Sequence, residues 1–406
     1  MSSPIPISSS ALKTDDCNGS DTESDTSTVE WDHEPFSEFQ FRVLAFAHSD
    51  VWPDTDPGHI TVERLLGGGF NRIVGITRRD SDQADSIETR YILRIPRLDS
   101  SQVDRDAGVL RFLELHTSIP VPRVIKYDDT AHNGLESPYM IQDRISGTDL
   151  CSSFQFLDHA TRKRVAYELG TVINQMLATR SSTTGNLAFS NELESPNASF
   201  YVIPFGYKDS RLAVPHSDSP NTESLLEQLT TNFQAQTAAA LDYCPKETFR
   251  PNFMRRFCTM ASELDAGGWF NSVPNCIAHF DFHPRNILVE PTEDPQKPVV
   301  SAILDWDDAG FAPMFMACAP PLWIWCWKDD EDEDERTAND DPPTLEAQEL
   351  KKLFEEAAGE DYMRFAYQPA YRLARRLVRF AIDGRIRSSE DVREAEEMLQ
   401  EWEAIK

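Results

Sequence analysis

The sequence predicts an α+β protein, with a small, mostly antiparallel sheet and one helix in its first part and mainly helices from about residue 150. Three observations point there. Short apolar runs separated by glycine or polar loops fill residues 60–95. Apolar residues at helical spacing recur in long stretches after residue 150. Between those stretches lie two strand-like runs, Ile287-Leu288-Val289 and Val299–Leu304, each with polar residues at its end.

The elements follow in order. Residues 1–34 are rich in Ser, Thr and Asp and read as a disordered tail. Folding begins near Pro35, which suits a first helical turn, and Phe36, Phe39, Val43, Phe46 and Ala47 recur at helical spacing. Ile60–Leu66 reads as a strand broken by Gly67-Gly68-Gly69, Ile73–Thr77 as a second and Arg90–Ile95 as a third. Asp104–His116 is helical through Val109, Leu110 and Leu113, and Pro120-Val121-Pro122 ends that region. Tyr139–Gln142 is a further strand, leading into a loop at Gly147. These elements make a sheet-plus-helix domain over residues 35–144. The second domain, residues 145–406, has amphipathic helices expected at Thr161–Met176, Thr222–Leu241, Phe253–Leu264, Leu345–Ala358 and Asp391–Ile405. The acidic run Asp329–Glu335 reads as a loop. Phe311–Trp327 is almost wholly apolar, but Pro313, Pro320 and Pro321 argue against a membrane span.

Composition narrows the partners. The net charge of -29 opposes a nucleic-acid partner. Seven cysteines are scattered without a C-x-x-C pair, which suits free thiols in a reducing compartment, here the cytoplasm. The stretch Met1–Asp16 has neither a basic start followed by an apolar run nor any arginine, so neither a secretory signal nor a transit peptide is expected.

The chemistry concentrates in His279-Phe280-Asp281-Phe282-His283-Pro284-Arg285-Asn286, followed by Ile287-Leu288-Val289, and in Ile303-Leu304-Asp305-Trp306-Asp307. A carboxylate, a carboxamide and a second carboxylate at the mouths of apolar strands suit phosphoryl transfer from a nucleotide. Asp281 is the candidate general base for a hydroxyl. Asn286 and Asp305 offer hard oxygens to Mg²⁺, and Asp307 reads as a second metal ligand or a loop acid. His279 and His283 read as residues that fix the loop by hydrogen bonding. Gly67, Gly68 and Gly69 suit backbone contacts to phosphates or a tight hairpin, without the strand-to-helix pattern of a Walker loop. Arg94, a cation in an apolar strand, needs a partner; Asp106 on the next helix is expected, with Asp104 and Glu114 as competitors, and the pair could hold the α/β-phosphates. The arginines between Arg364 and Arg387 read as a face paired with nearby acids, or as a basic patch. Trp323, Trp325 and Trp327 either line an acceptor site or pack in the core.

Taken together, these residues resemble the aminoglycoside phosphotransferase family, the small-molecule branch of the protein-kinase-like fold. The resemblance rests on His279-x-Asp281-x-x-x-x-Asn286 and Ile303-Leu304-Asp305-Trp306. Leu66-Gly67-Gly68-Gly69, Tyr91-Ile92-Leu93-Arg94 and Ile119-Pro120-Val121-Pro122 support it, while Gly310–Pro313 and Pro320–Trp323 are similar to a fungal subgroup. It spans about residues 55–330 and extends toward residue 385. It implies a two-lobed fold, with a small antiparallel-sheet N-lobe, a larger mainly helical C-lobe and ATP in the cleft between them. It further implies Asp281 as catalytic base, Asn286 and Asp305 as Mg²⁺ ligands, Arg94 as the phosphate-binding cation, and adenine against backbone between Gln142 and Arg144. The implied activity is ATP- and Mg²⁺-dependent phosphorylation of a small-molecule hydroxyl. Arg94 stands where better-known members have Lys, Asp106 where Glu is more usual, and Phe280 where Gly is commoner. A Ser/Thr protein kinase is the lesser alternative, opposed by Trp306-Asp307 in place of Phe-Gly. A non-catalytic kinase-like binding protein is the other alternative, since fold alone does not decide function.

Overall fold

In the computed structural model the chain is described over residues 34–65, 70–81, 87–97, 102–190, 199–205, 224–307, 309–327, 334–384, 386 and 388–406. The expected tail, apart from Glu34, lies outside these residues, as do Gly67, Gly68 and Gly69, most of the acidic run, and Arg385 and Arg387.

The first layer is helix α1 (Phe36–Phe46), capped by Pro35 and ended by a wider turn over Ala47–Val51. It lies against strands β1 (Ile60–Arg64), β2 (Asn71–Arg79) and β3 (Glu88–Pro96). Helix α2 (Val103–His116) follows, then β4 (Val124–Asp128) and β5 (Tyr139–Asp143). The five strands form one antiparallel sheet in the order β1-β2-β3-β5-β4. Strand alternation gives this sheet two different faces. Val74, Ile76, Leu93, Ile95, Tyr139 and Ile141 point to one side, where they close a small core with Phe39, Val43, Phe46 and Trp52. The guanidinium of Arg72 lies 3.7 Å from the centre of the Phe39 ring and seals the edge of that core. Arg94 stands opposite Met140, and Ile92 opposite Gln142. These residues alternate with the core set and so face the other way, toward the rest of the molecule.

The larger lobe begins with β6 (Thr148–Asp149), the short helix α3 (Leu150–Ser153) and the long helix α4 (His159–Ala178), whose first turn is capped by Asp158. Strands β7 (Arg180–Ser181), β8 (Gly185–Ser190) and β9 (Ser199–Ile203) come next, then α5 (Leu225–Tyr243) and α6 (Phe249–Ala266). The chemical segment is carried by β10 (Asn275–Ala278), β11 (Ile287–Val289), β12 (Val300–Ile303) and β13 (Gly310–Pro313). Helices α7 (Leu345–Ala366), α8 (Pro369–Asp383) and α9 (Ser389–Ile405) close the chain. The long helices start where the sequence sets caps: Ser224 with Glu227, and Ser388 with Asp391, each form a reciprocal capping box.

Three features depart from expectation. The larger lobe contains a five-stranded sheet, β7-β10-β13-β8-β9, and a three-stranded one, β12-β11-β6. Several of these strands have two to six residues, too few for alternation to show in sequence. Helix α2, assigned to the first lobe by its place in the chain, buries Val103, Ala107, Leu110 and Leu113 in the larger core. The arginine-rich stretch is largely helix α8, which buries Leu373, Ala374, Leu377 and Val378. Three of its arginines are paired with acids: Arg372 meets Glu401 at 2.6 Å, Arg376 lies 3.5 Å from Glu394, and Arg375 meets Glu335, whereas Arg379 bonds the Phe280 carbonyl. Trp323 and Trp325 are core residues, and Trp327 stacks on Phe154 with ring centres 5.4 Å apart. Among the described residues no helix is long and apolar enough to cross a membrane.

Helices α4 and α7 cross at Gly170. A Cβ there would sit 2.4 Å from the Phe354 carbonyl oxygen and 2.8 Å from Ala357 Cβ, so the helices touch backbone to side chain. Gly170→Ala should therefore destabilise the protein by about 1–3 kcal/mol, despite alanine's better helix propensity. A thermal melt checks this, and an unchanged or raised Tm would contradict the close crossing.

Candidate active site

Strand β10 pairs antiparallel with β13 and delivers the chain from the buried Ala278 into the chemical loop. His279 ties that loop together. Its Nδ1 accepts from the Asp281 amide at 3.1 Å, which leaves Nε2 as the protonated nitrogen, donating to the Leu304 carbonyl at 2.8 Å. The His279 ring also packs on Trp306, with centres 4.6 Å apart. His283 accepts from the Arg285 amide at 3.4 Å and opens the single turn Pro284–Asn286. Both histidines thus fix the loop. Burial first, and the nearby Arg285 second, hold the His283 imidazole below its ordinary pKa.

That turn brings Asn286 back to Asp281. The Asn286 amide nitrogen donates to the Asp281 carboxylate at 2.8 Å and to the Asp281 carbonyl at 3.0 Å. Its amide oxygen is thereby turned away from Asp281. Arg285 Nη2 reaches both Asp281 carboxylate oxygens, at 2.6 and 2.7 Å. Burial alone would raise the Asp281 pKa; Arg285, then Asn286 and His279, outweigh it and hold the carboxyl below its ordinary value.

The hairpin register places the second carboxylate. Ile287 pairs with Ile303, and the Leu304 amide donates to the Asn286 carbonyl at 2.7 Å. Asn286 and Asp305 therefore emerge at the same end of β11 and β12. Asp305 is exposed and has φ +62°, a left-handed conformation that aspartate tolerates better than most residues. Trp306, 1% exposed, anchors the turn by donating its indole N–H to the Ile303 carbonyl at 3.0 Å.

Arg94 closes the site from the sheet side. Its hydrogen-bonded carboxylate is Asp307, which also accepts from Asn71 at 3.4 Å. Asp106, the expected partner, contributes an electrostatic attraction alongside Asp307 and Asp305. Burial opposes the Arg94 charge, but these three carboxylates outweigh it and raise the pKa further. An aspartate two residues after Asp305 thus supplies the contact expected from the helix. On the neighbouring strand Gln142 is buried, and Arg144 pairs with Glu63. The amides of Asp143 and Arg144 are engaged by the carbonyls of Arg123 and Arg90, at 2.9 and 3.2 Å. The three glycines expected over the phosphates lie outside the described residues.

At this site the role of Arg285, and the place of Arg379 beside Phe280, went unread in the sequence. Arg285 was passed over, although its four-residue spacing from Asp281 is the ordinary distance for a paired charge in a single turn. Arg379 of α8 donates to the Phe280 carbonyl, and its guanidinium lies 5.5 Å from the centre of the Phe280 ring. Nothing local in the sequence joins positions 99 residues apart.

Comparison with known proteins agrees with this architecture. The profile described as the phosphotransferase enzyme family matches residues 76–350, well over half of the chain. Among curated proteins, "Altered inheritance of mitochondria protein 9, mitochondrial" of Clavispora lusitaniae is 27% identical over 180 residues, covering 41% of this chain and 28% of that protein. The protein of the same name from Candida albicans is 29% identical over 154 residues, covering 35% and 24%. The match thus spans about a quarter of these relatives' length. Among solved structures, ADP-bound aminoglycoside phosphotransferase APH(2'')-Ib aligns over 90% of this chain and 97% of its own, with TM-score 0.51 and 13% identity. Choline kinase from Cryptosporidium parvum aligns over 89% and 94%, with TM-score 0.47 and 11% identity. At such identities the likeness is one of fold, the two-lobed protein-kinase-like fold.

Proposed function

Because this chain belongs to the phosphotransferase enzyme family, we propose that it transfers the γ-phosphoryl group of ATP, with Mg²⁺, to a hydroxyl of a small molecule. The observation that carries this reading is the convergence of Asp281, Asn286 and Asp305 at one end of the β11–β12 hairpin, opposite the buried Arg94. As the acceptor oxygen bonds the γ-phosphorus, its proton passes to Asp281. The bond from that phosphorus to the β–γ bridging oxygen breaks, and ADP leaves. Arg285 and Asn286 favour the ionised carboxylate that such a base requires.

The donor set suits Mg²⁺. Asn286 has its amide nitrogen committed to Asp281, which leaves its oxygen for a cation, and Asp305 adds an exposed carboxylate. Mg²⁺ takes few protein oxygens and completes its shell with phosphates and water. When bound it would neutralise charge developing on the phosphates. Arg94 would meet the α/β-phosphates, positioned by Asp307 and Asp106. The adenine would lie against backbone between Gln142 and Arg144, the connection between the lobes. Two amides of that connection are already bonded, so its remaining backbone groups would hold the base. The free thiols of the described cysteines suit a reducing compartment, and we place the activity in the cytoplasm.

Nucleotide binding tests the reading. ATP affinity, measured by calorimetry, should rise on adding Mg²⁺, and Asp305→Ala should remove that dependence. Wild-type binding indifferent to Mg²⁺ would sink the metal assignment.

A further inference from the structure

The acceptor side of the proposed base carries an unusual charge for so acidic a protein. Arg285 uses one terminal nitrogen, Nη2, on both Asp281 oxygens, and its side chain is 55% exposed. No other partner engages its remaining guanidinium donors among the described residues. Arg379, also exposed, is fixed beside the same loop by the Phe280 carbonyl and ring. That hydrogen bond goes to a neutral carbonyl, so no carboxylate cancels the Arg379 charge among the described residues. Phe280 in turn meets Phe205, with ring centres 6.2 Å apart. Arg285 thus holds Asp281 directly, and Arg379 is held at the preceding residue, Phe280, beside a pair of aromatic rings. Asp281 offsets the Arg285 charge, and Asp307, Asp106 and Asp305 act on Arg94, which leaves Arg379 as a cation beside Phe280 with no ion-pair partner among the described residues, in a chain of net charge -29.

We propose that the acceptor is an anion: a hydroxyl compound with a carboxylate or phosphate close to the hydroxyl and an apolar or aromatic body. The inference rests on the phosphotransferase reading and adds the substrate class. A hydroxyl presented to Asp281 brings its neighbouring group within reach of Arg285 and Arg379. Guanidinium groups bind carboxylate and phosphate through charge-assisted, often paired hydrogen bonds. The same two charges would repel a cationic acceptor, so discrimination comes from attraction and exclusion together. The Phe205–Phe280 pair offers an apolar wall for the body of the molecule.

Three probes sharing one skeleton test this: mandelate, 1-phenylethane-1,2-diol and 2-amino-1-phenylethanol, which present an aromatic alcohol as anion, neutral molecule and cation. Binding to the full chain is measured by calorimetry with the non-hydrolysable ATP analogue AMP-PNP and Mg²⁺ present. Mandelate should bind at least about tenfold more tightly than the amino alcohol, the contribution of one charge-assisted hydrogen bond. Arg379→Gln should erase most of that preference, and Arg379→Lys should restore part of it. Equal affinities, a preference for the cation, or a preference that survives Arg379→Gln would overturn the proposal. AMP-PNP titrated alone separates the two readings. A chain that prefers mandelate but binds no nucleotide would contradict the phosphotransferase reading. A chain that binds nucleotide with Mg²⁺ but shows no anion preference would contradict the acceptor class alone.

Discussion

Asp281→Asn should lower kcat by about 10²–10⁴-fold, the usual contribution of a positioned general base. The substitution keeps the shape of the side chain and leaves an oxygen for Asn286 and Arg285 to donate to, so the loop should stay folded. What it removes is the capacity to take a proton at neutral pH. The loss should therefore appear in kcat, with nucleotide affinity essentially unchanged, because Asp281 contributes to the transition state and makes no proposed contact with the nucleotide. Steady-state kinetics beside calorimetric ATP binding separates the two quantities. Turnover that survives the substitution would remove Asp281 as the base. Equal loss of turnover and nucleotide binding would point instead to collapse of the loop around Asn286.

Arg375→Met should destabilise the protein by about 3–5 kcal/mol, the cost of breaking a buried charged network from one side. Arg375 is 5% exposed and donates to the carbonyls of Phe315, Phe365 and Ala366 at 3.2, 3.0 and 3.1 Å, and to the Glu335 carboxylate. Methionine fills most of the volume but offers no donor, so three buried carbonyls lose their partner at once. Glu335 is more exposed, with 27% of its side-chain surface open, and can regain water. The lower end of the range is therefore expected. Urea unfolding checks it: the midpoint should fall with little change in slope, because the surface exposed on unfolding is nearly the same. A cost below about 1 kcal/mol, within the range of an exposed ion pair, would show that the network contributes little.

The parts of this protein legible in its sequence are those whose determinants are local. Asp281 and Asn286 share one turn, and Asp305 ends the strand that pairs with the one following Asn286. One hairpin brings all three together, and its apolar runs are visible in the chain. The helices were legible for a similar reason, since their periodicity and caps lie within each segment. Contacts made between distant segments were not. Arg94 and Asp307 are 213 positions apart, and only the packing of the sheet lobe on the larger lobe selects Asp307 for hydrogen bonding. Asp106 lies nearer in sequence and on the adjacent helix, and so looked the natural partner. Strands β7 and β8 pair with β10 and β13, far along the chain, and β9 joins that sheet through β8. Their brevity hides the alternation that would identify them. For the arginines of α8 pairing with nearby acids was legible, but the partners, Glu335, Glu394 and Glu401, were set only by the fold.

The contact between Arg94 and Asp307 has a mechanical consequence. It joins a strand of the sheet lobe to a turn of the larger lobe, so one hydrogen-bonded pair bridges the cleft. A guanidinium carries five donors, so Arg94 can keep its bond to Asp307 and still offer N–H groups to a phosphate. On the proposed reading, the pair that ties the lobes together would also hold Arg94 in place for the nucleotide.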